Sequence, residues 1–553
     1  MRLRRRDILK AASAAFGLSV LPQIAGCSKE GAPPATGVFR HGVASGDPLT
    51  DRVILWTRVT EDSPAPRPAS VTWEIAKDPA FTRLVGSGAA NTDAERDFTV
   101  KVDAAGLEPG TTYYYRFRGL GEESVIGRTK TAPVSASRLR FAVVCCSSLP
   151  HGYFHVYQAI AERPDIDAVL HVGDYIYEYK DGEYGSQRPS LPKNETVTLA
   201  DYRARYAAYR GDQNLREIHR QHPFITTWDD HEVADNASKD GAGNHDASEG
   251  SYADRKRAAF RAYAEWMPIR GDLADGKIWR TMSYGTLADL IVLDTRHWGK
   301  EKQTSDEDVT LRDADARQIL GPDQEAWFFE QLRTSKAQWK VVCQQVLMSP
   351  LPQYLNTDQW DGYPKARERF YDAIEKNAVK DVVVLTGDIH ASFANDLARN
   401  PTALGAYDPD TGRGSLAVEL VTPAVTSQTP SKPKSAGDLL DSNKWMKHVD
   451  LDRHGYVMLD LDVQRAQGAF YYVKDVESRD GQDAVFAKAV ATRSGTNHLV
   501  DDGQPALDRP DAPALAPEPG PAVAPPTAMR TLPAIKPRQH HDPFGPLRRD
   551  VRA

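Results

Sequence analysis

Short apolar runs recur along the chain, and the spacing between them changes once. From residue 38 to about 131 the runs alternate with polar positions, as in Val53-Ile54-Leu55-Trp56, Val71-Thr72-Trp73-Glu74-Ile75 and Phe98-Thr99-Val100-Lys101-Val102. Gly, Pro and Asp punctuate them, which predicts half-buried strands in an all-β unit. From Leu139 onward the apolar runs alternate with stretches of helical period at 199–210, 251–266, 322–333 and 365–377. That change predicts a sheet covered by helices. The later runs at 415–421, 456–461 and 469–473 have no such stretches between them. They are expected as antiparallel additions at a sheet edge or in a second sheet. Beyond about 502 the chain is rich in Pro and Ala and cannot bury a core, so the tail is expected to be mobile or to drape over the surface.

Five apolar runs lead into side chains that bind metals. Residues 139–144 run into Cys145-Cys146-Ser147-Ser148, and 168–172 into Gly173-Asp174-Tyr175-Ile176-Tyr177. Residues 223–228 run into Asp229-Asp230-His231-Glu232, 290–293 into Asp294-Thr295-Arg296, and 382–386 into Gly387-Asp388-Ile389-His390. Sites in open α/β sheets form beyond the carboxyl ends of strands, so these ends predict one converging, metallic site. Asp174 is its natural centre, since a carboxylate can bridge two cations. Tyr177 lies three residues on and returns its phenol after one turn. Asp388 and His390 are two apart, which puts both on one face of an extended segment. Thiolate, phenolate and carboxylate together suit a Lewis-acidic ion such as ferric iron better than magnesium.

Of the cysteines beyond the leader, Cys145 and Cys146 are adjacent and cannot easily bridge each other. In a strand one faces the core and the other the site, while Cys343 reads as a buried strand cysteine. His245, His297, His448 and His454 read as surface or core residues.

Composition narrows the picture further. A chain of 553 residues exceeds one ordinary core, so two domains are expected. The net charge of −7 argues against a nucleic-acid binder. No apolar stretch is long enough to span a bilayer. Arg4-Arg5-Arg6-Asp7-Ile8-Leu9-Lys10 resembles the twin-arginine export consensus, and an apolar stretch follows at 11–21. Ile24-Ala25-Gly26-Cys27 is similar to a lipobox, with Cys27 either lipidated or near a simple cleavage point. Residues 1–26 are thus an export signal and 27–37 a linker. Leu107-Glu108-Pro109-Gly110-Thr111-Thr112-Tyr113 resembles the corner of a fibronectin-type sandwich.

Gly173-Asp174, Asp230-His231-Glu232 and Gly387-Asp388-Ile389-His390 are similar in order and spacing to the calcineurin-like metallophosphatases. Asp230 stands where Asn is usual, and Asp388 replaces the first histidine of the closing pair. With Cys146 to Phe154, Trp228 to Val233, Leu293 to Arg296 and His41-Gly42-Val43-Ala44-Ser45-Gly46-Asp47-Pro48, these departures resemble the alkaline phosphatase D (PhoD) family. The resemblance implies an α/β fold: a calcineurin-like metallophosphatase β-sandwich flanked by helices at 138–500, preceded by an all-β fibronectin-like sandwich at 38–132, with a tail at 501–553. It implies Fe3+ on Cys146, Asp174, Tyr177 and His390, and Ca2+ on a side that includes Asp388 and Asn236. Asp229 and Asp230 both stand as candidates there. His231 is placed near the leaving group and Arg296 on phosphate oxygens. The expected activity is hydrolysis of phosphate monoesters and diesters, on small-molecule or lipid substrates. The expected protein is exported by the twin-arginine machinery, periplasmic or at the cell surface, and meets the membrane only through a lipid anchor. The alternatives are a phospholipase D-type phosphodiesterase acting on lipid head groups and a non-catalytic cell-surface lipoprotein.

Overall fold

A computed structural model describes residues 37–519, apart from 64, 431–434 and 482. The export segment and Cys27 lie outside the described residues. The alternating N-terminal runs form β1 (Val43–Gly46), β2 (Arg52–Arg58), β3 (Ala69–Ala76), β4 (Leu84–Thr92), β5 (Thr99–Ala105), β6 (Thr112–Gly119), β7 (Glu122–Glu123) and β8 (Gly127–Lys130). One sheet has the order β4-β3-β6-β7, with β8 also on β6. It faces β1, β2 and β5 across Val53, Leu55, Val71, Ile75, Tyr115 and Phe117. At the expected corner the Tyr113 hydroxyl accepts a 2.7 Å hydrogen bond from the Glu108 amide, the bond that fixes such corners.

The helical part begins with β9 (Arg138–Val144), α1 (His155–Ala161), β10 (Ala168–His171), α2 (Leu199–Tyr209), α3 (Gln213–Gln221), β11 (Pro223–Thr226) and α4 (Tyr252–Trp266). β9, β10 and β11 are parallel neighbours. Their runs lack alternation because both faces are covered. Next come β12 (Arg280–Tyr284), β13 (Ala288–Val292), α5 (Pro322–Thr334), β14 (Trp339–Cys343), α6 (Pro364–Lys376), β15 (Val382–Thr386), β16 (Ser392–Ala398) and β17 (Ser415–Val421). Last are α7 (Ala436–Ser442), β18 (Met446–Asp450), β19 (Gly455–Asp462), β20 (Arg465–Tyr472), β21 (Val485–Arg493) and β22 (Leu499–Asp501).

The strands of this part divide between two sheets that pack face to face on Phe141, Leu170, Leu290, Val341, Leu385 and Phe470. The first runs β22-β21-β20-β19-β9-β10-β11-β1-β2-β5, the second β12-β13-β14-β15-β17-β16-β18. Residues of α1 to α4 pack in the core on the far face of the first sheet, and those of α5 and α6 on that of the second. The protein is therefore an α/β sandwich flanked by helices, preceded by a β-sandwich, as the sequence suggested.

Three of the differences from the sequence reading bear on how the elements are arranged. β17 is an inner strand, parallel to β15, so it is not an antiparallel addition. The short α7 stands between β17 and β18. α3 escaped notice because the interior-facing side of this short helix carries His219, Arg220 and Gln221 beside Leu215 and Ile218, which thins its apolar period.

The two parts of the chain share the first sheet, because β1 pairs in parallel with β11. The segment after β1 is locked there. A Cβ on Gly46 would lie 2.2 Å from the Pro268 carbonyl oxygen, so only glycine permits this approach. Asp47 is buried, accepting from Arg280 Nη2 at 2.6 Å and from the Arg270 amide at 2.9 Å. Lys101 of β5 donates from Nζ to the carbonyls of Ala264 (2.8 Å), Ile269 (2.7 Å) and Gly271 (3.2 Å). The described part of the tail lies over both parts. The Leu507 carbonyl accepts from Arg138 and Arg140, the Ala514 carbonyl from the Tyr114 hydroxyl, and Ala516 is buried beside Phe81. No described helix is long and apolar enough to cross a membrane.

Candidate metal centre

The five strand ends meet, but across two sheets rather than along the edge of one. β9, β10 and β11 bring Cys146, Asp174 and Asp229-Asp230-His231; β13 and β15 of the facing sheet bring Arg296, Asp388 and His390. The backbone turns sharply where the strands end. Cys146 (φ 59°), Asp174 (57°), Asn236 (52°), Asp388 (61°) and His390 (56°) all adopt the left-handed conformation. Such a conformation is uncommon outside glycine, and its clustering marks functional sites. Two glycines make room for these exits. A Cβ on Gly173, whose φ is 113°, would meet Asp229 Cβ at 2.4 Å, and one on Gly387 would meet Cys145 Cβ at 2.9 Å.

Three overlapping groups of donor atoms result: Cys146, Asp174 and His390; Asp174, Asp230 and His231; Asp229, Asp230 and Asp388. Within each, the atoms lie within 4.8 Å of one another. Tyr177 belongs with the first group, its hydroxyl donating to Asp174 Oδ2 at 2.8 Å and lying 3.1 Å from His390 Nε2. The Gln428 carbonyl accepts from His390 Nδ1 at 2.8 Å, which turns Nε2 toward the thiol, phenol and carboxylate. Cys146 is the cysteine that faces the site, whereas Cys145 lies buried against Gly387. Cys343 is buried at the end of β14. Asn236 reaches the edge of the centre, its backbone N–H donating to Asp230 Oδ2 at 2.5 Å and its side-chain amide to Asp235 at 3.0 Å.

These donors fit cations. Asp174 Oδ1, Asp229 Oδ2 and Asp230 Oδ1 are buried without a hydrogen-bond partner. Burial pushes the Asp229 and Asp388 carboxyls above the usual carboxylate range, against the pull of Arg296. Burial also raises the Cys146 thiol and the Tyr177 phenol well above their ordinary values. Burial thus favours the protonated forms of these four groups, and a bound cation would displace their protons.

Several residues outside the predicted set hold the centre in shape. Glu178 accepts from His231 Nδ1 at 2.7 Å, and also from the Asp235 amide and Asn244 Nδ2, each at 2.7 Å. Burial lowers the His231 pKa, but Asp230 and Glu178 outweigh it and keep the ring well above its ordinary value. Glu232 accepts from the amides of Asp174 (3.1 Å), Tyr175 (2.5 Å) and Asp229 (2.8 Å). Burial raises its carboxyl to about 8. Ser427 Oγ bonds to the Tyr177 hydroxyl at 2.7 Å and to the Cys146 carbonyl at 2.8 Å. His297 Nε2 donates to the Asp229 carbonyl at 2.9 Å, a core role for one of the unassigned histidines. Glu178 follows Asp174 in the same stretch and could have been suspected. Ser427 comes from a loop with no local signal.

Arg296 is fully buried, and carboxylates surround it. Nε donates to Asp229, Nη1 to Asp358, and Nη2 to Asp388 at 2.7 Å, with Asp230 at 3.6 Å. Asp358 also takes Lys300, and Gln359 holds Asp388 at 2.8 Å. In this arrangement the guanidinium braces the acids.

Acids, a thiol, a phenol and imidazoles facing one another across two sheets give the means for metal-dependent hydrolysis of an anionic substrate. Relatives make that class specific. Residues 141–470 match the family described as PhoD-like phosphatase, and residues 26–133 match its N-terminal domain. Alkaline phosphatase D of Bacillus subtilis (strain 168) is 38% identical over 423 residues, covering 71% of this chain and 72% of that protein. A solved structure described as that of PhoD superposes with a TM-score of 0.78 at 32% identity, over 86% of this chain and 94% of the other. The chain belongs to the PhoD-like phosphatases, and it is an enzyme, a phosphatase.

The brace around Arg296 gives a direct test. Asp358→Asn leaves two buried cations short of a carboxylate, and losing one partner of a buried pair costs about 3–5 kcal/mol. Denaturant unfolding of this variant should show a loss of that order, without a change in the secondary structure seen by circular dichroism.

Proposed function

We propose that the chain is an exported phosphoesterase that hydrolyses phosphate monoesters and diesters at a binuclear iron–calcium centre. The observation that carries the reading is the overlap of a thiol–phenol–imidazole group with an all-carboxylate group through Asp174 and Asp230. Soft and phenolic donors on Cys146, Tyr177 and His390 suit ferric iron. Hard oxygens on Asp229, Asp230, Asp388 and Asn236 suit calcium. When bound, such cations neutralise phosphate oxygens and lower the pKa of an attached water, which supplies the nucleophile at moderate pH.

The chain's own groups do the rest. Asp174 belongs to two of the donor groups and would serve both sides of the centre. Glu178 fixes the orientation of His231 through Nδ1 and leaves Nε2 to protonate the departing oxygen. Asp230 and Glu178 keep that proton on the ring. Arg296 holds Asp229 and Asp388 together against their mutual repulsion. Its guanidinium turns to phosphate oxygens only if cations take over those carboxylates, and a planar donor fork then matches the phosphate.

Export and anchoring complete the reading, supported by Arg4-Arg5-Arg6 and by the stretch that ends at Cys27. Twin-arginine export suits a protein that acquires its metals before it leaves the cytoplasm.

Three measurements test this reading. Asp174→Asn should purify with little iron by metal analysis and lose most hydrolysis; full activity without bound metal would exclude the metal route. His231→Asn should slow alkyl phosphate esters by roughly 10²–10⁴-fold and a nitrophenyl ester much less, because a good leaving group needs little protonation. Cys27→Ser should move the protein from the membrane fraction to the soluble fraction, and unchanged partition would remove the lipid anchor from the proposal.

A further inference from the structure

The second sheet ends at β12, and α5 lies along that edge through three successive contacts. The ring of Trp279, just before β12, lies 4.7 Å from that of Trp327, centroid to centroid. Thr281 Oγ1 donates to Gln331 Oε1 at 3.0 Å. Ser335 Oγ donates at 2.6 Å to Oδ2 of Asp289, which pairs with Ser283 of β12. Trp327, Gln331 and Ser335 are four residues apart, so they share one flank of the helix. The three contacts therefore run along about 12 Å of it.

A cleft of about 210 Å³ opens at the second and third contacts, lined by Thr281, Asp289, Ile291, Gln331, Ser335 and Lys336. Ile291 gives it an apolar lining. Thr281, Asp289, Gln331 and Ser335 are half-buried and Lys336 is exposed, so solvent reaches the polar walls. The two wall-to-wall hydrogen bonds use only part of their capacity. Among the described residues, the Gln331 NH2, Asp289 Oδ1 and the Lys336 ammonium have no hydrogen-bond partner within the protein.

Tryptophans extend the cleft at the first contact. Trp279 is buried, with Trp327 on one side and Trp298 edge-on at 5.7 Å. The Lys277 ammonium covers Trp279, 4.0 Å from its ring centroid. Trp298 and Trp327 are only half-buried, so each leaves part of a large ring in solvent. Aromatic surface grouped in this way marks a binding site.

Charge narrows the ligand. Asp289 has Lys336 on the cleft wall and Lys340 beside it on β14, and Lys340 also feels Asp381. Glu330 and Arg333 of α5 pair with each other at 2.6 Å. Acids and bases are thus matched, and a strongly charged ligand gains nothing from either sign. A phosphate would meet the free Asp289 oxygen, and an apolar peptide would leave the Gln331 and Asp289 groups unpaired at a cost. A neutral sugar satisfies both parts of the surface. Its hydroxyls donate to a carboxylate and accept from an amide and an ammonium, and its electropositive C–H face stacks on an aromatic ring.

We propose that the edge of the second sheet binds a neutral glycan, with one sugar ring in the cleft between Thr281, Asp289 and Gln331 and the next against Trp327. The site holds the enzyme to a polysaccharide while the metal centre stays free to work. It does not rest on the reading given for that centre.

The test uses the metal-loaded protein and three neutral disaccharides, cellobiose, maltose and chitobiose, in isothermal titration calorimetry. At least one should bind saturably, at one site per chain. Trp327→Ala and Gln331→Ala should each weaken that binding roughly tenfold. Both variants should hydrolyse nitrophenyl phosphate as the unaltered protein does, because neither residue touches the metal donors. Crystals of the unaltered protein soaked in the sugar that binds should show it against Trp327 and Gln331, which decides the matter even if a variant folds poorly. No saturable binding of any of the three, full-strength binding by either variant, or sugar seated elsewhere in the crystals overturns the proposal.

Discussion

Four carboxylates, Asp174, Asp229, Asp230 and Asp388, are forced together in a largely buried space, and much of the fold exists to tolerate that crowding. Like charges a few ångströms apart in a poorly polarisable medium repel strongly. The protein answers with cations of its own, Arg296 shared among the acids and Lys300 behind Asp358. It answers also with backbone amides, three of which converge on Glu232. The oxygens still left without partners define where bound cations would relieve the remaining repulsion. Stability and metal affinity are therefore coupled, because the same acids set both.

That crowding requires two sheets. The ends of β9, β10 and β11 alone would present the Cys146 thiol, the Asp174 carboxylate and the acidic loop to solvent. Facing them with β13 and β15 encloses the site and adds the guanidinium, the last carboxylate and the closing histidine. The N-terminal sandwich takes part through β1, which extends the first sheet on the far side of β11. Asp47, Lys101 and the strap of tail residues secure this junction with charge-assisted bonds, beside the packing of Trp56 on Trp266.

Much of the site was legible along the chain because metal donors must sit at positions the backbone can aim, and strand ends are such positions. Asp174, Tyr177, Asp388 and His390 announce themselves by spacing after apolar runs, and the structure brings them together. Which of the two adjacent cysteines faces the donors follows from alternation only once the strand's faces are known. The braces were far less legible. Ser427, Gln428, Asp358 and Gln359 come from loops whose residue types are ordinary, and they matter only because the chain returns them to the centre from far away in sequence. Arg296 shows the same limit from the other side: its type suggested an anion, and its surroundings gave it four carboxylates.

The sequence by itself determined many of the strands, the four longest helices, the order of two folded parts and the chemical character of the centre. These depend on local period, on turn residues such as Gly173 and Gly387, and on donor types that only a few reactions use. Tertiary structure alone decided that β17 lies inside its sheet, that the first sheet runs through both parts, and that Arg296 is ringed by four carboxylates. Those outcomes arise from pairings between residues distant along the chain, where a side chain's partner, and hence its charge state and role, is set by packing rather than by its neighbours in sequence.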